Sequence, residues 1–504
     1  MRSMAYTVAL MMLATLCSSG AAGPAAAAPP PPSTARNASA PAAPFALPLD
    51  AGRVMAQKAG TWYSHKVSSP VVIRFAPDDW RMWAYGREVD FSPLYPNWSF
   101  GRSGYFVSSD GVHWEPVAGP GHLGSAMDPR RGSDRFDGGA TGVSDVVYIG
   151  GVFFAFITGG RDAELHPGDR SPPAPAGGAF GARGFQRSRL GAAASRDGIH
   201  WARCDADRWR PGAFGATLSF GDLDLTPVLG HVYAEGYDPA SDPVKPPPPR
   251  GAQGGGGGGT QAALAEGDCR ALLAAAAGGR QFGPRAPRRP GAGAGGGAAA
   301  LRWELLYNSL TLPPCGAPGV RLFGGAAAPP GQLFFFEKTG LFRPGALAPA
   351  APGAAAFDGR KVSGGRKVKL PGRKEWLLFY EGADESGAVS IGQARSADGR
   401  GWVKEDRCAG VAGVEAYGLA RGPGGPTLAP RWGEWAAWDS IAVGTPFPLP
   451  LPNGTLLLYY VGFTNATRLP GAPPGEGGLG AAVGLAAAEP ERSGAYCRFR
   501  RVTL

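Results

Sequence analysis

A short signature occurs three times in the chain, and its repetition constrains the fold more than any other feature. In each copy the aspartate can accept hydrogen bonds from the turn, the glycine can adopt positive φ, and the tryptophan can pack between neighbouring sheets. We therefore interpret the signature as a structural strand–turn–strand unit of a repeat protein. The copies read Ser108-Ser-Asp110-Gly111-Val-His-Trp114, Ser195-Arg-Asp197-Gly198-Ile-His-Trp201 and Ser396-Ala-Asp398-Gly399-Arg-Gly-Trp402.

Each repeat also contains a β-branched strand, a turn and an aromatic-rich strand. Uninterrupted apolar runs of this length, bounded by turn residues, are typical of strands that are buried on both faces. Four such pairs are readable, and 303–307 with 332–337 are candidate strands of a fifth, degenerate repeat. The four pairs are 69–73 with 80–86, 144–148 with 152–156, 367–370 with 376–382, and 445–449 with 455–462.

The spacing of the strand pairs predicts an all-β fold, specifically a five-bladed β-propeller. Val71 and Val146 lie about 75 residues apart, as do Val368 and Pro446, and the long middle gap accommodates one more repeat if a Gly/Pro/Ala-rich insertion is removed from it. We predict one propeller over 59–504, interrupted by a disordered insertion at about 246–300, with a low-complexity linker over 24–58. A β-sandwich is the alternative fold.

The first 23 residues have the order of a secretory signal peptide, with Arg2, an apolar run from Val8 to Leu16 and then small residues. This predicts a secreted protein, and a plastid transit peptide is the alternative because no acidic residue precedes Asp50. Four N-glycosylation acceptors favour secretion, and no later stretch is predicted to span a membrane. The acceptors are Asn37, Asn97, Asn453 and Asn465.

Cysteine usage and charge argue against several functional classes. Five cysteines follow the signal segment without metal-ligand spacing, so we predict no metal site, no cofactor and at most two disulfides. The net charge of +10 includes basic concentrations at 285–289 and 360–374, which we interpret as solvated loops. For the second of them, attraction of an acidic polysaccharide is the alternative. No aromatic-interleaved basic motif accompanies them, so nucleic acid is not predicted as a partner. The sequence leaves the oligomeric state open.

A propeller with this turn in several repeats resembles the superfamily that contains arabinanases, β-xylosidases, invertases and levansucrases. The resemblance is carried by the turn and by the strand pair from Val143 to Phe156, and it covers about 67–503 apart from the insertion. In those families three carboxylates converge on a central cavity that binds a sugar. The resemblance therefore implies a glycoside hydrolase that cleaves furanosides or related bonds by carboxylate acid/base chemistry, with a carbohydrate as its partner.

The resemblance also assigns candidate catalytic residues. Asp145 falls on the aspartate of the second repeat that tunes the pKa of the general acid. Ser69, before Pro70, occupies the position of the base or nucleophile, which is commonly aspartate in the family. A serine hydroxyl needs activation by a neighbouring base, so this departure motivates the alternative of a catalytically inactive propeller that binds a glycan or a protein. Either Glu337 or Asp224 is the general acid, between which the sequence does not choose, or this role is lost.

Charged residues that follow the aromatic strands are candidates for substrate binding, because propeller loops build sites at strand ends. Loop salt bridges are the alternative interpretation of these residues, and a scaffold without a ligand is a third hypothesis for the whole chain. The candidates are Arg87, Glu88 and Asp90 after the first repeat's aromatic strand, and Arg161 with Asp162 after the second.

Overall fold

The structure is a computed structural model that describes most of the repeats and parts of the segments between them. Nearly all of the regular structure in the described residues is β-strand, with two short 3₁₀ turns at His122–Gly124 and Pro239–Ser241 and no α-helix. No helix among these residues is long and apolar enough to cross a bilayer. The described residues are 51–88, 101–133, 135–160, 189–204, 228–234, 237–241, 245–248, 303–310, 321–327, 337–341, 357–359, 361–384, 388–405, 407–408, 425–431, 434, 436–464 and 480–503.

The strands form consecutive antiparallel meanders, three of which are separate four-stranded sheets. These three consist of β6 (Ala140–Ile149), β7 (Val152–Gly160), β8 (Arg189–Ser195) and β9 (Ala202–Arg203); of β10 (Val228–Ala234), β11 (Trp303–Leu310), β12 (Arg321–Ala327) and β13 (Glu337–Leu341); and of β14 (Lys361–Lys369), β15 (Trp376–Ala383), β16 (Val389–Ser396) and β17 (Val403–Lys404).

The remaining strands form a nine-stranded sheet that joins the first and last repeats. One parallel pair, Lys66 with Ala481, links its two meanders. The strands at both ends of the described chain, β1 and β21, pair with β20. This sheet contains β1 (Arg53–Met55), β2 (Lys66–Ala76), β3 (Asp79–Arg87), β4 (Gly101–Ser108) and β5 (Glu115–Val117), together with β18 (Ala442–Pro450), β19 (Leu456–Thr464), β20 (Gly480–Ala488) and β21 (Arg500–Arg501).

The predicted strand pairs are confirmed, because all four coincide with the first two strands of a meander. The predicted strand at 303–307 is confirmed as part of β11. The basic concentration at 360–374 was wrongly interpreted as a solvated loop, since most of it forms β14. Its basic residues are interspersed with small and apolar ones, and Lys367 lies 5.3 Å from the ring of Trp376 and pairs with Glu304.

The repeated Asp-Gly turns have the structural role that the sequence predicts. In the first copy the Asp110 carboxylate accepts from the backbone N–H groups of Val112 and His113, and the Ser108 hydroxyl accepts from that of Gly111. The second and third copies repeat these bonds. Trp83 of β3 donates at 2.8 Å to the carbonyl of Gly198 in the next meander's turn, so the turn also joins neighbouring sheets.

In four of the meanders, an aromatic residue lies just before the first strand. Its ring packs against a glycine of the second strand and a glycine of the third. A Cβ at Gly104 would lie 1.9 Å from Trp62, and one at Gly191 would lie 2.0 Å from Phe136, so only glycine leaves room for these rings. The corresponding aromatic residues are Trp62, Phe136, Phe357 and Trp438. This packing of a ring on two glycines anchors the segment that leads into the first strand of each of these meanders.

Buried ion pairs and a disulfide fasten these leading segments. The fully buried Asp439 accepts from Arg431 and from Arg501 on the meander's fourth strand, at 2.8 Å in each case. Asp137 is bonded in the same way to Arg130 and Arg203. A disulfide joins Cys408, after β17, to Cys497, before β21. Cys204 is also disulfide-bonded.

The first strands of the meanders adjoin one another in chain order. Contacts run from β2 to β6, β10, β14 and β18, and from β18 back to β2. Each first strand also contains a β-bulge, a distortion that re-aims side chains and often occurs next to active sites. The bulges therefore indicate where a functional site should be sought.

Candidate functional site

In each first strand, the bulge is followed by one residue that occupies the same position relative to the bulge. In every case this residue is the first to pair with the second strand after the bulge. The five are Val71 opposite Trp83, Asp145 opposite Phe156, His231 opposite Leu306, Arg366 opposite Phe379, and Phe447 opposite Tyr459. Because the first strands adjoin one another, these equivalent residues are able to meet.

Asp145 connects three of the first strands. One carboxylate oxygen accepts from the Val146 N–H at 2.9 Å and from Arg366 Nη1 of β14 at 3.0 Å. The other accepts from the Val232 N–H of β10 at 2.8 Å. The side chain is almost completely buried, and its desolvation is offset by an ion pair and two backbone donors.

His231 is placed next to this ion pair by the bulge in β10. Arg366 Nη1 donates to its Nδ1 at 3.1 Å, and the imidazole also forms a hydrogen bond to the backbone of Ser144 in β6. Because Nδ1 accepts, the other ring nitrogen carries the proton. The histidine therefore connects β10 to both of the strands that supply the ion pair.

Arg366 is held on three sides. Asp145 and His231 share its Nη1, and the ring of Phe447 in β18 lies 3.7 Å from the guanidinium carbon. Cation–π stacking on an aromatic face stabilises a guanidinium and fixes its plane. The arginine side chain keeps 17% of its surface exposed. It is thus both immobilised and accessible.

The electrostatics of the cluster follow from burial and from Arg366. Burial raises the pKa of Asp145 above its ordinary value, against the opposing effect of the Arg366 charge and of the hydrogen-bond donors. Burial and the same positive charge hold the pKa of His231 well below its usual range. The imidazole is therefore neutral near pH 7, and Arg366 carries the permanent positive charge of the site.

A second carboxylate, Glu381 of β15, lies against two other bulges. It accepts from the Ser363 hydroxyl at 3.0 Å and from the Thr445 N–H at 2.7 Å. A Cβ at Gly444 would come within 2.7 Å of its carboxylate oxygen, and one at Gly364 within 2.5 Å of its carboxyl carbon. Glu381 therefore bridges the bulges of β14 and β18. These bulges directly precede Arg366 and Phe447 in the sequence.

Ser69 lies in the β2 bulge with a φ of 52°, as Thr445 does in the β18 bulge with a φ of 42°. Positive φ in a non-glycine residue is a strained conformation that clusters at functional sites. Within the described part of the chain, no side chain is hydrogen-bonded to the Ser69 hydroxyl, so no described base activates it.

The structure places Glu337 away from this cluster. It begins β13, which is the fourth strand of its sheet, whereas Asp145 bonds to the first strand of that sheet. Three strand spacings separate these strands, a distance of about 14 Å. Glu337 and Asp145 are therefore not brought together at the first strands.

The predicted binding residues are only partly described. Arg87 Nε donates to the Tyr85 hydroxyl at 2.8 Å, and Glu88 accepts from Arg102 and contacts His122 Nε2 at 3.2 Å. Glu88 therefore forms a salt bridge with Arg102, whereas Arg87 forms a hydrogen bond to a tyrosine hydroxyl. Asp90, Arg161, Asp162 and Asp224 lie outside the described residues.

Sequence reasoning missed His231, Arg366 and Glu381. Glu381 lies in the predicted strand 376–382, whereas Arg366 lies one residue before the predicted strand 367–370. The bulges beside them coincide with the Gly364-Gly365 pair in β14 and with Gly444 before Thr445-Pro446 in β18. Glycine inside a strand is a signal for a bulge or a close approach of another backbone. That signal could have identified the site-forming position of β14. Groups of acidic, histidine and cysteine residues able to hold a metal ion are absent from the described residues.

Solved structures of glycoside hydrolases match the chain along most of its length at low sequence identity. A thermostable family-43 glycoside hydrolase is 13% identical, with a TM-score of 0.46 over 89% of this chain and 98% of its own. An alpha-L-arabinofuranosidase from Lactobacillus brevis is 10% identical, with a TM-score of 0.44 over 88% and 97% of the two chains. A sucrose-6-phosphate hydrolase from Lactobacillus gasseri is 10% identical, with a TM-score of 0.42 over 88% and 62%.

No family model and no curated protein matches the sequence. The matching structures include glycoside hydrolases and also an N-acetylgalactosamine deacetylase from F. plautii in complex with blood group B trisaccharide.

Proposed function

We propose that the chain is a five-bladed, glycoside hydrolase-like β-propeller that binds a carbohydrate where its first strands meet. In this proposal each meander is one blade, and the nine-stranded sheet comprises the first and last blades. Support comes from the contacts that run from β2 through β18 and back to β2. It also comes from the pairing of both β1 and β21 with β20.

The observation that carries the proposed site is the meeting of Asp145, His231 and Arg366 at equivalent positions of three first strands. Polar groups that converge from several strands at strained bulges are a usual form of a ligand site. We propose that a furanoside or a related oligosaccharide binds there. Asp145 would act as a positioning residue that orients Arg366, the donor that faces the sugar.

A hydrolytic role needs two more groups, a base or nucleophile and a proton donor. We retain Ser69 as the residue at the base position and add Glu381 of β15, a carboxylate that is hydrogen-bonded to the bulges of β14 and β18. Glu337 is a weaker candidate for the proton donor because of its place on β13.

A propeller that binds a glycan without cleaving it is the second candidate function. It is favoured by the engagement of Asp145 with Arg366, which occupies the best-placed carboxylate. The serine at the base position favours it as well, because a hydroxyl without a neighbouring base is a poor proton acceptor.

We further propose that the protein enters the secretory pathway. The disulfide between Cys408 and Cys497 suits an oxidising compartment. The acceptor Asn453 is exposed in the turn between β18 and β19, where a glycan would meet no packed surface. Sequencing the amino terminus of the mature protein tests this, since secretion requires cleavage near residue 23 and plastid import requires a different cleavage site.

The test of function is a screen of the purified full-length protein against arabinan, xylan, sucrose and fructan. Sugar release and binding are both recorded for the wild type, for Asp145→Asn, and for Asp78→Asn as an exposed control in the β2–β3 turn. Release that is lost only in Asp145→Asn supports the hydrolase. Binding without release supports the second candidate, and neither binding nor release for any carbohydrate contradicts both.

A further inference from the structure

The geometry points to an acidic saccharide as the ligand of this site, with the sugar carboxylate held by the guanidinium of Arg366. This inference rests on the proposed carbohydrate site and specifies its substrate class. It starts from the way in which Arg366 uses its five N–H donors.

Only one of the three nitrogens of Arg366 is engaged within the described part of the chain. Nη1 donates to both Asp145 and His231, whereas Nε and Nη2 have no hydrogen-bond partner among the described residues. Neither atom is among the buried polar atoms that lack a partner, so both reach solvent. The edge formed by Nε and Nη2 is therefore the face that the arginine presents to a ligand.

That edge is the fork which binds a carboxylate through two parallel hydrogen bonds. Its orientation is set before a ligand arrives, because Asp145 and His231 hold Nη1 and Phe447 holds the plane of the group. A preorganised donor loses little conformational entropy on binding. The arrangement is consequently suited to a planar anion.

The charges of the surrounding strands favour an anion as well. The first strands β2, β6, β10, β14 and β18 contain six lysine and arginine residues and one acidic residue, Asp145. Four of the basic residues belong to β14, the strand of Arg366. The other two, Lys66 and Arg74, belong to β2, and the Glu381 carboxylate adds one negative charge beside the β14 and β18 bulges. A local excess of positive charge raises the local concentration of anionic ligands.

The neighbouring groups do not compete for the free fork. The Asp145 carboxylate is occupied by Arg366 and by two backbone N–H groups, and the His231 imidazole accepts from Arg366. A second carboxylate that approaches the Nε–Nη2 edge therefore meets donors, with the carboxylate of Asp145 on the opposite side of the guanidinium. The same fork would accept a sugar sulfate, and the experiment separates the two anions.

The test measures the affinity of the full-length protein for matched oligosaccharides by calorimetry. The probes are a galacturonic acid trimer, its methyl ester, a sulfated galactose trimer and a neutral galactose trimer. We expect the free acid to bind at least about tenfold more tightly than its ester, since charge-assisted bidentate bonds are roughly twice as strong as neutral ones. This comparison uses the wild-type protein alone, so it does not depend on a variant that folds.

Variants then locate the effect. Arg366→Met should reduce affinity for the acid to that for the ester, and Arg366→Lys should give an intermediate value because it keeps the charge but not the fork. Lys369→Met is the matched control on the same strand and should leave the preference unchanged. The melting temperature of each variant shows whether it is folded.

Equal affinity for acid and ester, or an acid preference that survives Arg366→Met in a folded protein, would overturn the inference. Tight binding of the neutral trimer would leave the proposed carbohydrate site intact while refuting its acidic ligand. A preference for the sulfated trimer over the free acid would refute the uronate and assign the fork to a sugar sulfate.

Discussion

The hydroxyl of Tyr459 donates a hydrogen bond of 2.6 Å to the carbonyl of Gly111, although the two residues are 348 positions apart in the chain. Tyr459 lies in β19 of the last meander and Gly111 in the Asp-Gly turn of the first. The bond repeats the contact that Trp83 makes with Gly198 between the first and second meanders. The last repeat is therefore joined to the first through the same turn that joins neighbouring repeats.

Removal of this contact should destabilise the whole protein. Tyr459→Phe deletes the donor and leaves the buried Gly111 carbonyl with the longer hydrogen bond from Trp114 Nε1 at 3.2 Å, so we expect a loss of about 1 kcal/mol in the free energy of unfolding. Tyr85→Phe is the control, because its hydroxyl pairs with a partly exposed arginine. Urea unfolding of the two variants measures the difference, and equal stability would argue against a role of this contact in closing the fold.

The glycines that face the leading aromatic residues should not tolerate a side chain. In Gly191→Ala the new Cβ would lie 2.0 Å from the ring of Phe136, which is itself buried. Relief of such a clash typically costs about 1–3 kcal/mol, with a matching fall in the melting temperature. Gly401→Ala is the control, because its Cβ would meet Asp398 at an ordinary 3.8 Å. A melting temperature that Gly191→Ala leaves unchanged would show that the ring does not fill this position.

Loss of the buried Asp439 carboxylate should be the most damaging single change. Asp439→Asn leaves Arg431 and Arg501 without their buried counter-charge, and we expect a loss of about 3–5 kcal/mol or a failure to fold. Glu434→Gln removes a second partner of Arg431 that is 40% exposed, so it should cost under about 1 kcal/mol. Thermal unfolding measures the stability of both variants. Similar losses for the two substitutions would contradict a stabilising role of the buried Asp439 carboxylate.

His231 should make the protein less stable as pH falls below neutrality. Its folded-state pKa is lower than the ordinary value of 6.5, so between these two pKa values the unfolded chain binds more protons than the folded one. The free energy of unfolding therefore rises with pH up to about 6.5 and levels off above it.

At pH 5.5 the deficit from this histidine is at most about 1.4 kcal/mol, because this pH lies one unit below the ordinary pKa and one pKa unit corresponds to 1.36 kcal/mol. His231→Gln should flatten the stability profile between pH 5.5 and 7.5, whereas the exposed His200→Gln should not. Unfolding curves at four pH values measure this profile, and a profile unaffected by His231→Gln would show that the fold does not lower the pKa of His231.

Local features of the fold were predictable, and the site was not. The Asp-Gly turns and the first two strands of four meanders were readable because their hydrogen bonds and apolar patterns lie within a few residues. The ion pair between Asp145 and Arg366 spans 221 positions, and no local pattern encodes it. Arg366 was assigned to a loop because its strand is rich in charge.

The leading aromatic residues were also missed, although Phe136-Asp137-Gly138 and Phe357-Asp358-Gly359 are repeated in the sequence. Their significance depends on glycines in the second and third strands, which only the folded arrangement brings near. A repeated motif whose contacts lie on other strands, such as Phe-Asp-Gly, therefore predicts structure less well than a motif such as the Asp-Gly turn, whose hydrogen bonds lie within the motif.

Hydrogen–deuterium exchange of the full-length protein, with and without saturating oligosaccharide, tests the location of the proposed carbohydrate site most directly. A mixture of arabino-, xylo- and galacturono-oligosaccharides serves as the ligand. We predict slower exchange in the peptides over 143–147, 230–233 and 362–367, which contain Asp145, His231 and Arg366. Unchanged exchange in these peptides, or protection confined to the Asp-Gly turns at 108–114 and 195–201, would contradict a carbohydrate site at the first strands.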